Sequence, residues 1–188
     1  MKMIYLSKGI VQEGSTEQLL HVLHCGQKYE LAGTDAAMWI NGRYAFAKVR
    51  NSKEQLAVNR LQSLGLVESE YENDSISKYR IASRCVFCPA ATKRLAAVRD
   101  QDATIVYWLK HAGIRLTVAE LVYLFERNVE PTKDLLYTDN RQRLVERIYT
   151  KDTIADNLLE TQMESAECRD EIIEGLLRLL KKKQILAL

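Results

Sequence analysis

The chain has 188 residues, 47% of them hydrophobic and 28% charged, with a formal net charge of +2. That length and balance belong to an ordinary soluble globular protein of one large domain or two small ones, and a charge so near zero does not by itself imply a nucleic-acid partner. No run of about eighteen apolar residues is present to cross a membrane, and the apolar Met1–Leu6 stretch gives way to Ser7-Lys8-Gly9 too soon for a signal peptide, so the expected location is cytoplasmic.

In chain order, Met3–Leu6 reads as a short edge strand. Ser15-Thr16-Glu17-Gln18 has the pattern of a capping box and predicts a helix through Leu19, Leu20, Val22 and Leu23 that Gly26 stops. Thr34 caps a predicted helix over Asp35–Tyr44 that buries Ala36, Ala37, Trp39, Ile40 and Tyr44, with Gly42 able to end it early. Ser52-Lys53-Glu54-Gln55 is a second capping-box pattern. The helix it opens takes Leu56, Leu61 and Leu64 as its apolar face and ends at Gly65, where a left-handed residue is expected. Leu66–Glu72 then alternates like a strand, Asn73-Asp74-Ser75 has turn chemistry, and Ile76–Ala82 alternates again.

Helix, tight turn, strand, loop and strand is the order of a recognition helix and its wing. The run Asn59-Arg60-Leu61-Gln62-Ser63-Leu64-Gly65-Leu66-Val67-Glu68 resembles the recognition-helix-to-wing segment of winged helix-turn-helix proteins, and with the preceding helices the resemblance covers residues 29–83. It implies an antiparallel hairpin formed by Leu66–Glu72 and Ile76–Ala82, and a helix that enters a DNA major groove.

Arg84–Arg99 reads as a connector containing Pro89. Helical periodicity returns from Asp102 with Ile105, Val106, Trp108, Leu109 and Ala112, closed by Gly113. Thr117-Val118-Ala119-Glu120 is a third capping box, before Leu121, Val122, Leu124 and Phe125, with Asn128 and Pro131 at the end. Helices are predicted over Asp139–Tyr149, Thr153–Met163 and Ala166–Lys182, the last supported by the Glu174–Arg178 pair and by lysines at its C-terminal end. Gln184–Leu188 reads as a terminal strand. Helix, basic turn and strand over Ile173–Leu188 echo Leu56–Val67, so the expected fold is mainly α with small β-hairpin wings, a tandem of winged-helix-like units with the second degenerate. The predicted spans are 1–83, a connector 84–101, and a helical 102–188. One helical domain with a single hairpin is the alternative.

The charge is uneven along this layout. Residues 1–100 carry 14 Lys/Arg against 10 Asp/Glu, and residues 101–188 carry 13 against 15, so the first half is the better candidate to meet phosphate. The candidate DNA-reading face is Ser52, Lys53, Gln55, Asn59, Arg60 and Gln62 on the Ser52 helix, because Gln and Asn pair with adenine edges and Arg or Lys with guanine. Arg43, Lys48, Arg50, Lys78 and Arg80 are placed beside it for backbone phosphates. Against this stand Glu68, Glu70 and Glu72 on the first wing strand, which repel phosphate.

Without a secretory signal, the four cysteines read as reduced thiols. Cys85-Val86-Phe87-Cys88 could supply half of a zinc site, with His21, His24 or Cys25 as the other half if they share a helix face; a redox pair and plain unliganded thiols are the alternatives. Trp39 and Trp108 read as core. No phosphate loop, nucleophile elbow or HExxH motif points to an enzyme. The expected function is a DNA-binding transcriptional regulator acting on double-stranded DNA, with its acidic half serving self-association or a protein partner and no resident cofactor beyond that possible zinc. The rivals are a protein–protein adaptor on the same scaffold and a small metal- or redox-sensing module.

Overall fold

The computed structural model describes residues 3–16, 18–90, 99–112, 116–132, 135, 142–150 and 158–188. It is a mixed α/β fold with small antiparallel sheets rather than a mainly α one. Among the described residues no helix is long and apolar enough to cross a membrane.

Strand β1 (Ile4–Ser7) is where two cores meet. The sequence suggested an edge strand, but β1 is central, pairing antiparallel with β5 (Ala47–Lys48) on one side and β6 (Val67–Glu70) on the other. Its side chains alternate between faces. Tyr5, with Met3 just before the strand, joins Trp39, Val58 and Leu61 in one core, while Ile4 and Leu6 join Tyr79, Ile81 and the C-terminal helices in the other. An unbroken apolar run of this length is what a strand covered on both faces requires.

The predicted Ser15 helix is instead a meander of β2 (Ile10–Val11), β3 (Leu19–His24) and β4 (Gln27–Ala32). Leu20, Val22 and His24 point inward at period two. Ser15 and Thr16 cap no helix. Their hydroxyls accept from the His21 and Leu19 amides, each at 3.0 Å, and so shape the entry into β3. The two-residue loop has φ of 48° at Cys25 and 79° at Gly26, the paired left-handed geometry of a type I′ turn. Cysteine is a poor fit for that region and asparagine a good one. Cys25→Asn is therefore expected to stabilise the protein by about 0.5–1 kcal/mol, read from the urea midpoint; a loss of stability would show that the thiol itself supports the turn.

Helix α1 (Gly33–Asn41) starts slightly earlier than its sequence signals, without a side-chain cap, and ends at Gly42. It buries Ala36, Met38 and Trp39, leaving Ile40 outside. Helix α2 (Ser52–Ser63) is capped by Asn51, whose Oδ1 accepts from the Glu54 amide at 3.0 Å, one residue before the expected cap. It ends as predicted at Gly65 (φ 74°), where the Gly65 amide donates to Gln62 O and that of Leu66 to Leu61 O before β6 begins.

No second wing strand follows. Ser75–Ser83 is helix α3, capped by Asp74 Oδ1 from the Ser77 amide at 2.7 Å. The predicted hairpin of Leu66–Glu72 with Ile76–Ala82 is thus absent, and β6 pairs with β1 instead. The alternation misled because α3 is covered on several sides, so Ser77, Tyr79, Ile81 and Ala82 are all buried.

The second core contains α3, β7 (Phe87–Pro89), α4 (Asp100–Ala112), α5 (Val118–Glu126), α6 (Gln142–Ile148), α7 (Leu159–Met163), α8 (Arg169–Lys181) and β8 (Ile185–Ala187). Residues that the sequence assigned to the first unit and the connector therefore pack with the C-terminal half. β7 and β8 pair antiparallel, and the Gly9 amide donates to Ala187 O at 3.0 Å. The Thr117 capping box forms with both of its hydrogen bonds. Helix α8 closes as α2 does: Lys183 has φ 54°, its amide donates to Leu180 O, and that of Gln184 to Leu179 O. The echo seen in the sequence is this helix–turn–strand closure, although β6 pairs with β1 and β8 with β7. The predicted stop at Gly113 and the starts of the 139–149 and 153–163 helices lie outside the described residues.

Candidate functional site

The outward side of α2 is not the polar strip that the leucine pattern implied. Ala57, Val58 and Leu61 are the buried residues, while Leu56 is 60% and Leu64 45% exposed. A leucine outscores an alanine in any apolar pattern. The small Ala57, however, lets α2 pack closely on α1, and choosing that face turns both leucines outward. Leu56, Arg60 and Leu64 follow at four-residue steps and form one exposed stripe. On α1, Ile40 is 50% exposed.

Three of the seven cations proposed for DNA are engaged within the chain, Arg43, Arg60 and Arg80. Arg60 forks onto Asp35 in the first turn of α1, at 3.1 and 2.5 Å. Arg80, on α3 rather than a wing strand, forks onto Glu164 at 2.7 and 3.1 Å. Lys78 is half-buried on the same helix. Arg43 is half-buried over the rings of Trp39 and Tyr44, at 5.2 and 5.0 Å. Gln55 is half-buried, whereas Lys48, Arg50, Lys53 and Asn59 are exposed. The acidic strand is neutralised from within: Lys8 Nζ lies 2.6 Å from Glu68, and Arg84 pairs with Glu70.

The candidate metal ligands do not converge. On a strand His21 and His24 face opposite sides; His21 lies 3.7 Å from Glu30 across the hairpin, and His24 is buried. Cys25 is exposed at the turn, 3.4 Å from His24 Nε2. Cys85 is buried after α3, where its thiol donates to Ile81 O at 3.2 Å and burial pushes its pKa up to about 12. Cys88 is half-buried on β7, and burial raises its pKa too. Cys168 donates to Val122 O at 3.5 Å. Among the described residues no group of three His, Cys, Asp or Glu side chains could hold a metal ion. Trp39 and Trp108 are fully buried, as expected.

His24 has a further consequence. Burial, and after it the Lys8 ammonium, lowers its pKa, with Glu68 opposing, and its Nδ1 has no hydrogen-bond partner among the described residues. The imidazole is thus held neutral while the unfolded chain takes up a proton near pH 6.5, so stability present above that pH is lost as pH falls below it towards the lowered folded value. The urea midpoint of the parent is expected to drop between about pH 7 and about pH 5.5 by more than that of His24→Gln. Equal drops would show that another group carries the acid sensitivity.

A cavity of about 540 Å³ lies where the end of α1, β5 and the first turn of α2 meet, lined by Tyr5, Met38, Asn41, Phe46, Lys48, Arg50 and Glu54 among others. No signal in the sequence marked it, since its walls come from four separate stretches. Comparison of the chain with protein-family models, curated proteins and solved structures returned no match.

Proposed function

We propose that the protein is a protein–protein interaction module, an adaptor that docks a partner against the outward side of α2 and the adjoining end of α1. The observation that carries this reading is the exposed stripe Leu56–Arg60–Leu64, with Ile40 on the neighbouring helix. Large apolar side chains on one helical face suit an apolar partner surface far better than a major groove. Burying a fully exposed leucine contributes about 1.5–3 kcal/mol, so Leu56 and Leu64 would serve as anchors within a larger contact. The DNA reading retains Lys48, Arg50 and Lys53, which have no carboxylate partner among the described residues.

Two measurements separate these readings. A photo-reactive residue at position 56 should crosslink one partner in cells, and Leu56→Asp or Leu64→Asp should weaken binding of that purified partner roughly tenfold or more. The folding midpoint should stay in place, because exposed positions shift stability by only about 0.5 kcal/mol. Binding to mixed-sequence duplex should be absent even at about 50 mM salt, where phosphate contacts are strongest. Salt-dependent duplex binding that Lys53→Ala weakens and Leu56→Asp spares would replace the adaptor with the DNA-binding protein.

A further inference from the structure

We infer that the cavity between α1, β5 and α2 is a binding site for a small organic carboxylate with an apolar body. Its volume of about 540 Å³ falls within the range of small-molecule sites. Two chemistries meet there. Met38, Phe46 and Val49 supply apolar surface, and Asn41, Lys48, Arg50 and Glu54 supply polar groups.

The charges decide the sign of the ligand. Lys48 and Arg50 have no carboxylate partner among the described residues, unlike Lys8, Arg60, Arg80, Arg84 and Arg178, which each sit against one. Glu54 is the one acid on the wall, and its Oε2 is already occupied by the Arg50 amide at 2.8 Å. The lining therefore carries two cations against one engaged anion. Arg50 offers a planar fork that matches a carboxylate through two parallel hydrogen bonds, and Lys48 adds a point charge. An organic cation would meet two like charges, and a bare inorganic anion would leave the apolar wall unused.

The framework is preformed. Tyr5 is fully buried, and its hydroxyl donates to Met38 O at 2.9 Å, tying β1 to α1 behind the cavity. Asn51 caps the helix turn that carries Glu54, and the Glu54–Arg50 bond holds the chain entering it. The backbone frame is thus fixed, and what a ligand has left to order is the Lys48 and Arg50 side chains. The inference does not rest on the docking reading, since none of the residues lining the cavity belongs to the Leu56–Arg60–Leu64 stripe.

The test uses the full chain and four probes: 3-phenylpropionate, its neutral amide, 3-phenylpropylamine and inorganic phosphate. Titration followed by calorimetry and by backbone amide shifts at Asn41 and Val49 should show 3-phenylpropionate binding with a Kd on the order of 1 mM or below, as about eleven heavy atoms can sustain. The amide should bind at least about tenfold more weakly, the loss of one charge-assisted contact, with the amine and phosphate weaker still. Arg50→Gln should abolish the preference for acid over amide, and Phe46→Ala should weaken both alike. Equal affinity for acid and amide, an acid affinity unchanged by Arg50→Gln, or no saturable binding at about 10 mM would each overturn the proposal. Unfolding of Arg50→Gln would be seen in its amide spectrum, and Lys48→Gln, at an exposed position, then supplies the charge test.

Discussion

Arg178→Ala is expected to cost about 3–5 kcal/mol of folding stability, the penalty for leaving a buried charge without its partner. Arg178 on α8 forks onto Asp102 on α4 at 3.1 and 2.8 Å, and the Asp102 side chain is only 1% exposed. The helices cross closely at this point, because a Cβ on Gly175 would lie 2.7 Å from Ile105 Cδ1 and 3.1 Å from Asp102 Oδ1. The orphaned carboxylate stays in this packed crossing, reached only by the water that the vacated Arg178 side chain, 27% exposed, admits. The pair visible in the sequence, Glu174 with Arg178, is looser at 3.7 Å, and Glu174 is largely exposed, so Glu174→Ala should change stability by no more than about 0.5 kcal/mol. Urea unfolding of both variants near neutral pH checks the contrast. Similar losses for the two would mean that Asp102 is hydrated despite its burial.

Gly42→Ala should cost about 3 kcal/mol, at the upper end of overpacking penalties. Backbone strain is not the reason, since Gly42 has φ −82°. The added Cβ would lie 2.5 Å from Tyr5 Cε2 and 2.8 Å from Cδ2, and would also overlap Ser7 Oγ. Neither neighbour yields easily: the Tyr5 ring is fully buried and tethered to Met38 O, and the Ser7 amide donates to Gly42 O at 2.9 Å. The urea midpoint should fall with an unchanged m-value. A loss under about 1 kcal/mol would show that β1 can slide away from α1, which the double-core packing of β1 argues against.

The candidate site was legible only in outline. The polar residues of α2 were found, but not which of them are already engaged, because Asp35 lies 25 residues before Arg60 and Glu164 lies 84 after Arg80. Nothing local marks such partners. The thiols and histidines were grouped on an assumed helix; when that segment became β3, three-residue spacing changed from one face to two.

What the chain determines by itself is its local punctuation. The Thr117–Glu120 capping box, the end of α2 at Gly65 and the end of α1 at Gly42 rest on hydrogen bonds and backbone angles that span six residues or fewer, so neighbours in sequence suffice to specify them. The tertiary structure decided every segment whose pattern fits two periods. Leu19–His24 became a strand because it pairs with Gln27–Ala32 along its whole length. Ser75–Ser83 became a helix because the second core surrounds it, with the Tyr79 hydroxyl reaching Glu160 O at 2.8 Å, 81 residues away. Leu56 and Leu64 were left outside because α1 took the smaller Ala57–Val58 face. In each case burial free energy is set by what covers a residue, and the covering atoms lie in another element, from the next strand of a hairpin to Glu160, 81 residues from Tyr79.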